Sequence, residues 1–316
     1  MRILFTGGSS FTGMWFVEAL AAAGHQVVAT MTRDGPGAYE GVRAERVARA
    51  SEAAAETVYD CPLGSDRFLD VLRASSSWDL LSHHAADVTN YRSPDFDALS
   101  ALGNNARRAR EILADLAERG GQMLLTGSVF EGGEGAGSDD LPHFSRYGLS
   151  KALSAEVWQF EAAQQHVGAS KFVIPNPFGP YEEPRFTAYL MRCWFKDEVA
   201  GVKTPEYVRD NIHVSLLAGA YAQFAQIVSE SEDALHISPS GYVESQGRFA
   251  ERLAAAMRAR LGLACGLDLA VQTEFEEPRV RIGTEPVAGL VPGWSESDAW
   301  DEFAAYYARM NEAVSK

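Results

Sequence analysis

Thr6-Gly7-Gly8-Ser9-Ser10-Phe11-Thr12-Gly13 follows an apolar run at residues 3–6 and opens a helical pattern over about 11–23. Small residues at such a junction let the backbone leave a strand in a sharp turn. The first N–H groups of the helix are left without intrahelical partners and attract an anion. A pyrophosphate suits this cradle, with Gly7, Ser9, Ser10, Phe11 and Thr12 around it and Gly13 letting the helix pack closely on the strand. Glycines alone mark only a turn, so the weight comes from the flanking pattern.

Further apolar runs lie at 27–31, 57–60, 79–83, 123–126 and 172–175, with helical patterns at 65–74, 97–119 and 146–165. Short buried strands separated by helices indicate βαβ units with right-handed crossovers. Six such strands predict an α/β fold, a Rossmann-like doubly wound parallel sheet occupying residues 1–176. Past residue 176 the texture changes. Pro and acidic residues cluster at 175–185, and helices are expected over 186–197, 214–229, 243–261 and 296–312. Residues 177–316 are therefore expected to form a smaller C-terminal substrate lobe, partly interleaved with the first domain. One segment looks flexible: residues 132–138 carry four glycines in seven positions, just ahead of Tyr147.

The chain has 316 residues and a net charge of −15, which argues against a nucleic-acid partner. No apolar run approaches the length of a membrane span. Met1 leads directly into a strand-like stretch rather than a secretory signal, so a cytoplasmic protein is expected. Cys61, Cys193 and Cys265 are odd in number and widely spaced, which predicts buried thiols and no metal site.

The second strand ends in Ala29-Thr30-Met31-Thr32-Arg33, with no carboxylate before Asp34 to grip the ribose hydroxyls of NAD. Thr32 and Arg33 suit a 2′-phosphate, so NADP is favoured over NAD, with a solvated Arg33 as the plain alternative. Tyr147-Gly148-Leu149-Ser150-Lys151 opens a helical pattern, and a spacing of four puts Tyr147 and Lys151 on one face. An ammonium near a phenol stabilises the phenolate, fitting Tyr147 to exchange a proton with a carbinol while hydride moves to or from nicotinamide. Lys151 is the first of only five lysines (151, 171, 196, 203 and 316) in a chain that otherwise uses arginine. A bulkier guanidinium would serve the role poorly. Thr126 and Ser128, at the end of the run Leu124-Leu125-Thr126-Gly127-Ser128, offer a hydroxyl to polarise the substrate oxygen. Thr126 is preferred, and one of the two could simply cap the following turn.

Together these motifs resemble the extended short-chain dehydrogenase/reductase family of NAD(P)-dependent nucleotide-sugar epimerases, dehydratases and 4-ketoreductases, over residues 1 to about 220. His83-His84-Ala85-Ala86 matches the family's His-x-Ala-Ala element, which implies that His83, Ala85 and Ala86 line the cofactor. Asn105 matches the family's helix Asn, and Thr126, Tyr147 and Lys151 fall on its catalytic positions. Asn176-Pro177-Phe178-Gly179-Pro180 looks like the Asn-x-Tyr-Gly-Pro element, placing Pro175 against the cofactor and Asn176 against the substrate diphosphate. Arg209-Asp210-Asn211-Ile212-His213-Val214 resembles the Arg-Asp-x-x-His-Val element, whose Arg grips the phosphates of a nucleotide sugar. Ser128 is assigned to the substrate side. The resemblance also implies a homodimer.

Two departures bear on function. Ser10 stands where the family turn has its middle glycine, and Gly127-Ser128 stands where 4,6-dehydratases have an Asp-Glu pair. The sequence therefore predicts hydride transfer at a sugar carbon, C4, of a nucleotide-activated sugar, with a 4-ketoreductase favoured over a 4-epimerase. The alternatives are a reductase of a non-sugar ketone and a non-catalytic dinucleotide-binding sensor.

Overall fold

In β1 (Arg2–Thr6), Ile3 and Phe5 pack into one hydrophobic cluster and Leu4 into another, and all three are fully buried. Alternating side chains that are apolar in both directions require a sheet covered on both faces. The computed structural model, which describes residues 1–314, has that arrangement. Lys316, the last of the five lysines, lies outside the described residues. With β1 are β2 (Gln26–Thr30), β3 (Glu56–Val58), β4 (Leu80–His83), β5 (Gln122–Ser128), β6 (Ala169–Ile174) and β7 (His236–Ile237). They form one parallel sheet in the order β7-β6-β5-β4-β1-β2-β3.

The helices are α1 (Phe11–Ala22), α2 (Gly41–Ala53), α3 (Asp66–Ala74), α4 (Ala98–Asn105), α5 (Ala109–Glu118), α6 (Arg146–Gln164), α7 (Phe186–Phe195), α8 (Val214–Glu230), α9 (Gln246–Leu261) and α10 (Glu296–Val314). On one face Phe16, Leu20, Val47, Tyr221 and Phe224 from α1, α2 and α8 cover Ile3, Phe5, Ala29 and Leu124. On the other, Phe68, Leu113, Leu116 and Trp158 from α3, α5 and α6 cover Leu4, Val28, Leu81 and Met123. A third cluster, built from Phe178, Leu190, Trp194, Phe249, Leu253 and Phe303, forms the core of the later part of the chain. There Val208–His213 pairs with Asn176–Phe178, Tyr242–Ser245 and Val280–Ile282.

The structure differs from the sequence expectations in four places. The sheet has seven strands rather than six, because His236–Ile237 pairs with Lys171 and Phe172. Two residues in a polar stretch carry no periodicity to read. Helix α2 falls in a gap between the expected elements; its buried residues are Arg46, Val47 and Ala50, too few for a clear apolar stripe. The single helix expected over 97–119 is two, α4 and α5, because Arg108 adopts a left-handed φ of 56°. The glycine-rich segment is not loose throughout, since Ala136–Gly137 pairs with Arg281 and Ile282.

Cys61, Cys193 and Cys265 are buried and unpaired. Among the described residues no helix is long and apolar enough to cross a membrane, and no cluster of metal-ligating side chains is present.

Candidate active site

The chain leaves β1 toward β2 on one side, while β4 lies on the other. The connections after β1 and β4 therefore diverge, opening a crevice at the carboxyl ends of the strands where ligands of such sheets bind. A cavity of about 740 Å³ lies there.

Its floor is the turn quoted above. Gly7 has a φ of +89°, and a Cβ on it would lie 2.8 Å from the backbone nitrogen of Ala85, so only glycine lets the two connections meet. A Cβ on Gly13 would lie 2.2 Å from the Gly7 carbonyl. Ser10 turns its side chain inward: Oγ donates to the Gly7 carbonyl at 2.9 Å and accepts from the Gly13 N–H at 3.1 Å, capping α1. With no acidic residue in its first turn, α1 presents its positive end to the cavity. Gly7, Ser9, Ser10, Phe11, Thr12, Thr32, Ala85, Ala86 and Pro175 all line the cavity. The open backbone and unopposed helix end fit a dinucleotide pyrophosphate.

Arg33 is exposed and is not among the lining residues. Its backbone N–H donates to Tyr39 Oη at 3.1 Å, and its guanidinium lies 5.9 Å from the Tyr39 ring. Arg43, on α2, lies 5.5 Å from the same ring, lines the cavity and donates to Ser9 Oγ at 3.0 Å. Neither arginine has a carboxylate partner in an ion pair among the described residues. The sequence reading missed Arg43 because it missed its helix.

Thr126, Tyr147 and Lys151 come together on the cavity wall, from β5 and the first turns of α6. Ser145 caps α6 by accepting from the Gly148 N–H at 3.1 Å, which sets the start of the helix beside β5. Lys151 Nζ donates to the Thr126 carbonyl at 2.6 Å. Burial pushes the Tyr147 phenol above its ordinary value, with Glu131 adding to the effect, and burial lowers the Lys151 ammonium. Lys151 is not among the causes of the Tyr147 shift, in which burial comes first. Tyr91 and Phe96 flank the Tyr147 ring at 5.2 and 6.2 Å.

His83 and Asn105 lie beneath this wall rather than on it. His83 Nδ1 meets Thr6 Oγ1 and Nε2 meets the Asn105 carbonyl, both at 3.0 Å. Asn105 Oδ1 accepts from the Asp87 N–H at 2.7 Å, and its carbonyl also takes the Trp158 indole N–H at 2.9 Å. Side chains alternate along β4, so the next residue, His84, faces the opposite way and reaches the cavity. Its Nδ1 lies 3.1 Å from Thr126 Oγ1, and its Nε2 lies 3.1 Å from both Ser10 Oγ and Thr12 Oγ1. That alternation was the available signal for His84.

Behind the end of β5 lies a buried charge network. Lys171 Nζ bonds Glu131 and Glu134, each at 2.6 Å, and Glu134 meets His236 at 2.9 Å. Glu131 also accepts the Ser128 N–H at 2.7 Å. This carboxylate is committed to Lys171 and is not part of the cavity wall.

Ser128, Asn176 and Arg209 also line the cavity. Arg209 is buried; its Nη1 donates to the carbonyls of Val208, Pro278 and Arg279, and its Nη2 lies 3.0 Å from Glu277. Glu182, also on the wall, receives the hydroxyls of Thr187 and Tyr307 on Oε1 while Oε2 is buried without a partner. Burial raises its carboxyl to about 7.

A family model described as "NAD dependent epimerase/dehydratase family" matches residues 3–238. No curated protein matches the sequence. Among solved structures, UDP-glucuronic acid 4-epimerase from Bacillus cereus, in complex with UDP-glucuronic acid and NAD, is 15% identical. The alignment covers 98% of this chain and all of that one, with a TM-score of 0.71. UDP-glucose-4-epimerase from Stenotrophomonas maltophila, with bound NAD and formylated UDP-arabinopyranose, is 18% identical over 99% of each chain, with a TM-score of 0.73. A dTDP-glucose 4,6-dehydratase from Streptomyces venezuelae is 18% identical, covering 99% of this chain and 98% of that one, with a TM-score of 0.70. At these identities the similarity shows the fold.

Proposed function

The chain belongs to the NAD dependent epimerase/dehydratase family, and we propose that it transfers a hydride reversibly at C4 of a nucleotide-activated sugar, as a 4-ketoreductase ahead of a 4-epimerase. The observation that carries this reading is the convergence of Thr126, Tyr147 and Lys151 on one cavity, between a pyrophosphate-type turn and the polar end holding Asn176 and Arg209. A bound nicotinamide supplies or accepts the hydride. Tyr147 gives or takes the proton at the substrate oxygen, Thr126 orients that oxygen, and Lys151 fixes the geometry through its bond to β5. Asn176 and Arg209 hold the diphosphate.

NADP is the favoured cofactor. Two arginines without carboxylate partners among the described residues meet at Tyr39, beside Thr32 and Ser9, in a chain of net charge −15. That is the chemistry of a 2′-phosphate site. Elimination of water is disfavoured, since Gly127 and Ser128 carry no carboxylate and Glu131 is bound to Lys171. The proposed protein works in the cytoplasm as a homodimer.

One observation favours a second reading, a reductase of a non-sugar ketone. The Arg209 guanidinium already serves three carbonyls and Glu277, so a diphosphate must compete for it. Thermal-shift titration with UDP-, dTDP-, GDP- and CDP-sugars in the presence of NADPH separates the two. A stabilising nucleotide sugar whose effect disappears in Arg209→Ala supports the first reading, and no response from any of the four overturns it.

A further inference from the structure

His84 joins two groups that the sequence treats as separate, the serine of the cofactor turn and the hydroxyl of the catalytic wall. Its ring touches Ser10 and Thr12 through Nε2 and Thr126 through Nδ1, each at 3.1 Å. It packs on Phe5 and Phe16 at 5.8 and 5.1 Å.

The direction of these hydrogen bonds follows from one fixed end. A backbone carbonyl only accepts, so the Ser10 proton is committed to Gly7 O. Ser10 Oγ also accepts from the Gly13 N–H. The Ser10 contact is then made by a proton on Nε2, which Thr12 Oγ1 accepts as well, and this reads His84 as the Nε2–H tautomer. Burial holds the imidazole neutral at ordinary pH, lowering it to about 3. Nδ1 is then a bare lone pair, and Thr126 Oγ1 donates to it. The hydrogen bonds thus run one way, from Thr126 through His84 and Ser10 to the carbonyl of Gly7.

We propose that His84 is a positioning residue: it reads the polarity of the cofactor turn and fixes the direction of the Thr126 hydroxyl, so that Thr126 presents a lone pair to the cavity. The hydroxyl thereby accepts from the carbinol O–H that forms when Tyr147 gives up its proton, and does not polarise the ketone oxygen as the sequence alone suggested. Ser10, a departure from the glycine of the family turn, supplies the acceptor that makes this possible. This inference rests on the hydride-transfer reading of the same cavity, so its test begins with a measurement that needs neither sugar nor turnover.

Nitrogen-15 NMR of the full-length protein, labelled at histidine and assigned with His84→Gln, reads the tautomer directly. The Nε2–H form is expected, with the Nδ1 resonance shifting in Thr126→Val as its donor is lost. An Nδ1–H form overturns the proposal. If the tautomer is as expected but no nucleotide sugar is turned over, the hydride-transfer reading fails by itself.

Where turnover is found, three variants separate positioning from bulk. An Asn amide reaches about as far as Nδ1, a Gln amide about as far as Nε2, and Phe keeps only the packing on Phe5 and Phe16. His84→Asn is expected to retain most of kcat, while His84→Gln and His84→Phe lose roughly tenfold, the worth of one hydrogen bond. KM and Tm stay near wild type in all three. Equal losses in all three variants accompanied by lower Tm show a merely structural residue and overturn the proposal, as does full activity in His84→Phe.

Discussion

Lys151 Nζ donates to the backbone carbonyl of Thr126 at 2.6 Å, pinning α6 to β5 at two residues that line the cavity. Neighbouring groups of opposite roles are thus held in register by a main-chain contact rather than by a side-chain pair. Lys151→Arg is expected to fail despite keeping the charge, because the forked guanidinium cannot occupy the space of a compact ammonium. Steady-state rates should fall at least as far as in Lys151→Met. Retention of wild-type kcat in Lys151→Arg would show that the site needs only a positive charge.

Tyr147→Phe removes the proposed proton donor while leaving the ring between Tyr91 and Phe96. The expected loss in kcat is about 10²- to 10⁴-fold, the usual worth of a positioned acid or base. Cofactor affinity, followed by quenching of protein fluorescence, should be little changed. Activity within a few-fold of wild type would remove Tyr147 from the chemistry.

In the proposed NADP site, Arg43 and Arg33 distinguish the two nicotinamide cofactors. Arg43→Ala is expected to weaken NADPH binding by roughly tenfold or more, in keeping with a charge-assisted hydrogen bond of about 1.5–3 kcal/mol, and to leave NADH binding unchanged. Calorimetric titration of each cofactor measures this. Equal affinity of the wild type for the two would assign the arginines to the solvated surface.

Glu182 sets a pH dependence of stability. Burial raises its carboxyl from 4.5 in the unfolded chain to about 7. Between these values the folded protein holds a proton that the unfolded chain has released. Stability therefore falls as pH rises through that window, and the loss is complete above pH 7. Glu182→Gln is expected to be more stable than wild type at pH 8, by on the order of 3 kcal/mol at most, with the difference gone at pH 4.5. Urea unfolding at the two pH values checks the sign, and an advantage for the variant at pH 4.5 would refute it.

The charge network behind β5 makes a separate prediction. Lys171→Met leaves Glu131, which is completely buried, without its cation. Removing one partner of a buried pair costs about 3–5 kcal/mol. The double variant Lys171→Met, Glu131→Gln should recover much of that loss in chemical unfolding. Additive losses would mean that the two side chains act independently.

How much of this was legible beforehand follows from where each feature keeps its signal. The parallel sheet was readable because both faces of β1 are apolar, and the turn after it because Gly7 and Gly13 occupy positions where a Cβ collides with backbone. Tyr147 and Lys151 announced themselves by spacing. Helix α2 did not, since Arg46 supplies buried surface that a hydropathy pattern scores as polar, and with α2 went Arg43. The position of Arg108 in the left-handed region has no residue-type signature, so the break between α4 and α5 was invisible. His84 was readable in principle from strand alternation, but its partners Ser10 and Thr126 lie 74 and 42 residues away in sequence. Only folding reveals that they share a ring.

The most direct test of hydride transfer follows an isotope. The protein is incubated with NADPH deuterated at the transferable position of the nicotinamide and with 4-keto forms of UDP- and dTDP-sugars, and the products are analysed by mass spectrometry and NMR. Deuterium at C4 of the sugar, abolished in Tyr147→Phe, is the predicted result. Nucleotide sugars recovered without deuterium and without inversion at C4 would contradict it.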